Sequence, residues 1–250
     1  MGPNESYDYN SLGSGYASHR RPDPRIATVI HAALGDARTV LNVGAGAGSY
    51  EPEDRYVVAL EPSATMRAQR PGDAPAIRGV AEALPFDDNA FEAAMAVMTV
   101  HHWTDLSAGL SELRRVASGS VVIVAGDGPA LPRFWLNDYA PELIAAERRR
   151  YPPIEKIARL LGRRCEISVI PIPADCTDGL TEAFYARPER LLDPSVRRAQ
   201  SSWAFLPEGA EARFVERLSA DLASGAWDAR YGDWKALPAY EGALRLIVSR

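Results

Sequence analysis

Thr39-Val40-Leu41-Asn42-Val43-Gly44-Ala45-Gly46-Ala47-Gly48 runs a short apolar segment straight into three glycines at alternate positions. The apolar half reads as a buried strand. The glycine half reads as a turn whose backbone can approach a ligand closely, because no Cβ stands in the way. A helix placed after such a turn offers free N–H groups to that ligand.

Working outward, Tyr56-Val57-Val58-Ala59-Leu60 reads as a second strand ending at Glu61, and Ser63 is positioned to cap a helix through Met66. A third short strand is expected near Ala76-Ile77-Arg78. The apolar run from about Ala93 to Val100 predicts a fourth strand covered on both faces, as in parallel sheets. A helix over Leu106 to Val116 precedes a fifth strand, Val121-Val122-Ile123-Val124-Ala125, which ends at Gly126-Asp127. Upstream, a helix is expected after Pro24 through Ala27, Ile30 and Ala33, with Gly35 as its stop.

Beyond Asp127 the pattern loosens. Residues 152–162 read as helical, Cys165 to Ile172 as a sixth strand, and Ala243-Leu244-Arg245-Leu246-Ile247-Val248 as the last. Residues 177–236 hold helical segments broken by Pro188, Pro194 and Pro207. The expectation is an α/β fold: a Rossmann-like, doubly wound, mostly parallel seven-stranded sheet with a helical insertion before its last strand. A single domain over 1–250 accounts for the chain, with an irregular arm (1–24), a cofactor-binding core (25–127) and the insertion (177–236) as a cap over the substrate.

Hydrophobic residues make up 46% of the 250 and charged residues 24%, ample for a large core. A net charge of −5 gives no reason to expect nucleic acid as a partner. The run Arg148-Arg149-Arg150 reads as a solvated helix end. Two cysteines, Cys165 and Cys176, make neither a disulfide framework nor a metal site. The polar N-terminus and the lack of a long apolar window predict a cytoplasmic protein with no membrane partner. Nothing in the sequence specifies an oligomeric state.

The glycines follow G-x-G-x-G, whereas the dinucleotide fingerprint places its third glycine one position later. Glu61, at the end of the second strand, stands where a carboxylate can accept both hydroxyls of a ribose; the alternative is a solvated residue favoured by the helix dipole. Together, turn and carboxylate point to a cofactor carrying an adenosyl group.

Four blocks then resemble the methyltransferase type 11 family, relatives of the ubiquinone/menaquinone-biosynthesis methyltransferases. They are Val40 to Gly48, Leu60-Glu61-Pro62-Ser63-Ala64-Thr65-Met66, Gly79-Val80-Ala81-Glu82-Ala83-Leu84-Pro85-Phe86, and Val100-His101-His102-Trp103. The third block, continued by Asp87-Asp88-Asn89-Ala90-Phe91-Glu92, is the most specific. The resemblance implies S-adenosyl-L-methionine as cofactor and a small-molecule methyl acceptor as partner. It implies that Gly44, Ala45, Gly46 and Gly48 pass the methionine and ribose portions, and that Val80, Ala81 and Glu82 frame the adenine. Val97 and Met98 would lie beneath the methionine moiety. Tyr16-Ala17-Ser18-His19-Arg20-Arg21 resembles the family's Tyr-x-x-x-Arg segment, which implies Tyr16 and either Arg20 or Arg21 at the cofactor carboxylate. Two positions depart from the family: Asn42 replaces an acidic residue, and Val80 replaces the frequent Asp, leaving Glu82 as the polar side chain nearest the adenine.

Methyl transfer from a sulfonium is an in-line displacement, in which alignment alone can supply roughly 7–11 kcal/mol. Tyr7, Tyr9 and Tyr16 are candidates for an aromatic wall around the sulfonium charge. His101 and His102, after the fourth strand, are candidates for a general base or for loop packing. Asp127, Asp175 and Asp178 are candidate substrate contacts or plain turn residues. Trp135, Phe184, Tyr185 and Trp203 are candidates for an apolar substrate wall or for core. A nucleotide-dependent oxidoreductase and a non-catalytic protein that binds the cofactor remain alternative readings.

Overall fold

The structure is a computed structural model and describes residues 19–162 and 164–250. Helix α1 (Pro24–Ala33) carries Pro24 in its first turn, and its N-cap Asp23 accepts from the Arg25 amide. Its buried residues Ile26, Ile30 and Ala33 recur at helical spacing. Strands β1 (Thr39–Val43) and β2 (Tyr56–Leu60) are followed by helix α2 (Ala64–Arg67), strands β3 (Ala76–Ile77) and β4 (Ala93–Val97), helix α3 (Leu106–Val116) and strand β5 (Val121–Gly126). Next come helices α4 (Leu136–Tyr139), α5 (Pro141–Arg150) and α6 (Ile154–Leu160), then strands β6 (Cys165–Val169) and β7 (Ile172–Pro173). Helices α7 (Pro194–Arg198), α8 (Ala210–Ser224) and α9 (Ala226–Tyr231), interspersed with 3₁₀ turns, lead to β8 (Ala239–Tyr240) and β9 (Leu244–Ser249).

Seven strands form one sheet in the order β3-β2-β1-β4-β5-β9-β6. Neighbours from β3 to β5 pair in parallel. Strand β9 lies antiparallel between β5 and β6. The doubly wound, mostly parallel sheet expected from the sequence is therefore present. Residues alternate across it. Leu41, Val43, Ala94 and Ile123 pack with α3 and α6, while Val40, Ala93, Met95 and Val122 pack with α1. A separate aromatic core joins the segments from Ala130 to Ala243.

Three local expectations are corrected. Strand β4 stops at Val97, because Met98 turns to φ +50° and a 3₁₀ turn spans Val100–His102. The apolar run nevertheless continues, since Val100 is buried under that turn. The sixth strand ends at Val169; after Pro171, which has no N–H to donate, Ile172–Pro173 pair with β8 in a two-stranded ribbon. Arg150 is not solvated: it is 4% exposed, with its guanidinium 4.5 Å from the centre of the Phe205 ring. No helix among the described residues is long and apolar enough to cross a membrane.

Candidate active site

Order reversal in the sheet places β1 and β4 side by side, and ligands of such sheets bind at the carboxyl ends of the strands there. The glycine turn sits at that point. The Gly44 and Ala45 amides both donate to the Leu60 carbonyl, at 2.8 and 3.1 Å, which ties the turn to the end of β2. Gly44 has φ +69°, and a Cβ there would run into the Thr99 side chain. Gly46 has φ +53°, with Met66 Cε 3.3 Å from where its Cβ would stand. Only glycine meets both demands.

Glu61 is 6% exposed and joins the same construction. One carboxylate oxygen accepts from the Gly46 amide at 2.9 Å, the other from the Ser63 amide at 2.8 Å. Each oxygen has a second lone pair to offer a ligand. Above this carboxylate lies a cavity of about 470 Å³, within the size range of small-molecule sites. Its wall includes Gly44, Ala45 and Gly46 from the turn, Val80, Ala81 and Glu82 from the loop after β3, and Val97 and Met98 from the end of β4. Gly48 stands behind the wall, its missing Cβ 3.3 Å from Arg70 Nη1.

Two polar side chains in the wall are already engaged. Asn42 donates its amide to Glu51 at 2.9 Å, and Glu51 pairs with Arg70 at 2.7 Å, so the acidic residue absent from position 42 reappears one layer back. Glu82 accepts through one oxygen from Thr104 and Asp105. Burial opposes its charge, but these donors hold its carboxyl below the usual range. Its first task is thus to pin the loop behind the histidines.

Arg20 also lines the cavity, and Arg21 is exposed. Arg20 Nε lies 2.5 Å from Asp178, whose other oxygen accepts from the Tyr50 hydroxyl at 2.8 Å. The Gly179 amide donates to the His19 carbonyl at 2.9 Å, laying the arm against this loop. Asp178 is thereby brought to the cavity wall, as a partner of Arg20. Tyr7, Tyr9 and Tyr16 lie outside the described residues.

Asp127 and Asp175 are not brought to the cavity. Asp127 is held by Arg245 at 2.7 Å. Asp175 is 80% exposed and pairs with Arg25. Trp135, Phe184, Tyr185 and Trp203 are buried in the aromatic core, where the Trp135 indole donates to the Tyr185 carbonyl at 3.1 Å.

His102 lines the large cavity, and His101 lines a smaller one beside it. Burial, helped by Arg150, pushes His102 down to about 3. Burial, then His102, Arg150 and Arg20, push His101 well below its ordinary value. Both imidazoles are therefore neutral near pH 7 and weak as proton acceptors, which counts against either as the general base. Trp103, from the fourth family-like block, is also in the wall, together with Tyr50 and Thr99, which have no signal in the local sequence pattern.

Residues 41–124 match the methyltransferase domain family. The fold is that of a class I methyltransferase. A methyltransferase domain on this fold takes S-adenosyl-L-methionine as its methyl donor. Among curated proteins, the uncharacterized protein YafE of Escherichia coli (strain K12) is 37% identical over 64 residues, 24% of this chain. That match spans 31% of YafE. Among solved structures, a candidate methyltransferase from an antibiotic biosynthesis pathway of Anabaena variabilis superposes with a TM-score of 0.87. It is 29% identical, over 93% of this chain and 99% of that one. A S-adenosylmethionine-dependent methyltransferase of Thermotoga maritima shares the fold at 15% identity and TM-score 0.53, over 90% of this chain and 87% of that one.

Proposed function

We propose that this chain transfers a methyl group from S-adenosyl-L-methionine to a small-molecule acceptor. The observation that carries the reading is Glu61, a buried carboxylate in the wall of the 470 Å³ cavity, directly beside the side-chain-free turn at Gly44 and Gly46. A ribose diol meets its two oxygens, which the Gly46 and Ser63 amides already hold in place. Val80, Ala81 and Glu82 frame the adenine side of the cavity, Val97 and Met98 the methionine side, and Arg20 offers its guanidinium to the amino-acid carboxylate.

When bound, the cofactor supplies a methyl carbon on a cationic sulfur that leaves as a neutral thioether. The protein's part is alignment and exclusion of water. Arg20 and Asp178 close the arm side, the Trp103 loop pinned by Glu82 closes another, and the strained Met98 backbone marks where the reacting atoms meet. Isothermal titration with S-adenosylhomocysteine tests the reading: micromolar or tighter binding is expected, and its absence sinks the proposal. A related fold at 29% identity and near-complete coverage, from an antibiotic biosynthesis pathway, supports a small secondary-metabolite-like acceptor over a macromolecule.

A further inference from the structure

A second, smaller cavity of about 40 Å³ adjoins the large one, and Arg20 and Met98 line both. Its wall is mostly polar. Glu147 is 3% exposed. Its Oε1 accepts from the Thr181 hydroxyl at 2.8 Å and from the Ser202 hydroxyl at 2.9 Å. The hydroxyls of Thr181 and Ser202 engage only Oε1, and Oε2, the Tyr151 hydroxyl and the His101 ring belong to residues that line the chamber. The Tyr151 ring packs edge-on against His101, centres 5.1 Å apart, and occupies the space that a side chain on Gly126 would need.

Three polar groups facing one small chamber are met by water or by a ligand of matching chemistry. The volume admits a group of a few non-hydrogen atoms, given the roughly 10–15 Å³ that one water needs. The chemistry of the wall says which group. A carboxylate oxygen and an imidazole nitrogen accept, and the phenol can do either. Of the nearby cations, Arg150 donates to Ser201 and Ser202 and approaches His102, while Arg20 pairs with Asp178 and, on the reading above, faces the cofactor's carboxylate. An incoming anion meets the Glu147 carboxylate in the chamber wall, whereas an O–H or N–H finds acceptors there.

We propose that this small chamber is the acceptor subsite, that it takes a hydroxyl- or amine-bearing molecule with its O–H or N–H on Glu147 Oε2, and that Glu147 takes the proton. The inference rests on the methyl-transfer reading above. One O–H or N–H bond breaks, and its proton goes to Glu147. The freed electron pair forms the bond to the methyl carbon, whose former bonding pair stays with sulfur. Burial raises the Glu147 carboxyl above its ordinary value, against the opposing pull of the Thr181 and Ser202 hydroxyls, which makes it a better proton acceptor than the depressed histidines. A carbon nucleophile with no O–H or N–H leaves this wall unsatisfied.

Crystals of the protein saturated with S-adenosylhomocysteine, soaked separately in methanol, methylamine and acetate, test the assignment. Methanol or methylamine is expected in the chamber with its oxygen or nitrogen within about 3.2 Å of Glu147 Oε2, and acetate is not. Glu147→Gln keeps an oxygen for Thr181 and Ser202 but turns the free acceptor into a donor, so its chamber is expected to exchange the protic probes for acetate. S-adenosylhomocysteine affinity of that variant should stay within about twofold of the parent, since Glu147 is absent from the large cavity. Acetate in the parent chamber, or neither protic probe there, overturns this inference while leaving the cofactor reading intact. Failure of S-adenosylhomocysteine to bind the parent protein instead removes the reading beneath both.

Discussion

The two walls that meet at Met98 are built from different materials. Around the glycine turn of the large cavity, away from the Arg20–Asp178–Tyr50 cluster, the polar work is done by main chain. Gly44, Ala45, Gly46 and Ser63 place their amides, and one carboxylate, Glu61, holds two of them from 15 and 2 residues away. On the side of the small chamber, side chains hold side chains across long separations. Glu147 reaches Thr181 over 34 residues and Ser202 over 55. A wall of amides is set by the backbone path, so few substitutions can alter what it recognises without breaking the turn. A wall of side chains on helices and 3₁₀ turns can be rewritten one residue at a time. On the two proposals above, the methyl donor belongs to the first wall and the acceptor to the second, in keeping with a scaffold that hosts many acceptors.

The largest expected effect is on the first wall. Gly44→Ala forces a Cβ into Thr99 at φ +69°. Overpacking and left-handed strain together cost about 2–5 kcal/mol. Loss of S-adenosylhomocysteine binding by 100-fold or more, with a lowered melting temperature, is expected in calorimetry and thermal melts. A variant that binds normally would mean the turn is not rigid, and the contrast between the walls would go with it.

Glu61→Ala comes next. It deletes the diol acceptor and frees the Gly46 and Ser63 amides, for an expected loss of about 1–3 kcal/mol in S-adenosylhomocysteine binding. Glu61→Gln keeps one acceptor for one amide and should fall between the two. Equal affinity for all three proteins would show that the carboxylate only braces the loop.

These first two positions were readable because their signals are local. A strand, three glycines and an acid at the next strand's end are neighbours in sequence before they are neighbours in space. The sheet was readable for the same reason, through periods of two and 3.6. The second wall was not. Glu147 and Arg150 share the buried face of α5 with Leu143, and charges at core positions of a helix are a signal that was there to find. It was hidden because Arg150 follows two exposed arginines, so the triplet looked like a solvated end. Nor could sequence tell Asp127 and Asp175, held by arginines outside the cavity, from Asp178 in its wall; the difference lies in long-range partners. Of the two roles open to the histidine pair, general base or loop packing, burial disfavours the first.

A third prediction concerns pH and a carboxylate one residue behind the second wall. Glu182, beside Thr181, is fully buried; burial pushes its carboxyl from 4.5 up to about 7, against the pull of the Ala243 amide. Folded protein thus keeps a proton that unfolded chain releases, so this group's stabilising share is complete below about pH 4.5 and is lost as pH climbs toward about 7. Glu182→Gln removes that dependence. Its melting temperature is expected to exceed the parent's by more at pH 8 than at pH 5, by scanning fluorimetry. A constant gap would place the titration elsewhere.

The smallest effect is expected where the sequence offered a substrate contact and the fold declined it. Asp175 is three residues from Asp178, carries the same charge, and pairs with Arg25. Asp178 is enclosed against Arg20 and Tyr50, whereas Asp175 is 80% exposed, so water and salt screen its pair. The Arg25 guanidinium holds the Asp175 carboxyl below its usual range, and the advantage of that pairing is present above the unfolded value and fades as pH falls. At pH 7 and 0.15 M salt, Asp175→Asn should leave S-adenosylhomocysteine affinity within about twofold of the parent. A tenfold loss would mean that Asp175, and not only Asp178 of the same loop, reaches the large cavity in solution. Long-range side chains in the first wall would then extend beyond Asp178 and its partners Arg20 and Tyr50, and the division of labour between the two walls would weaken at the point where the arm crosses them.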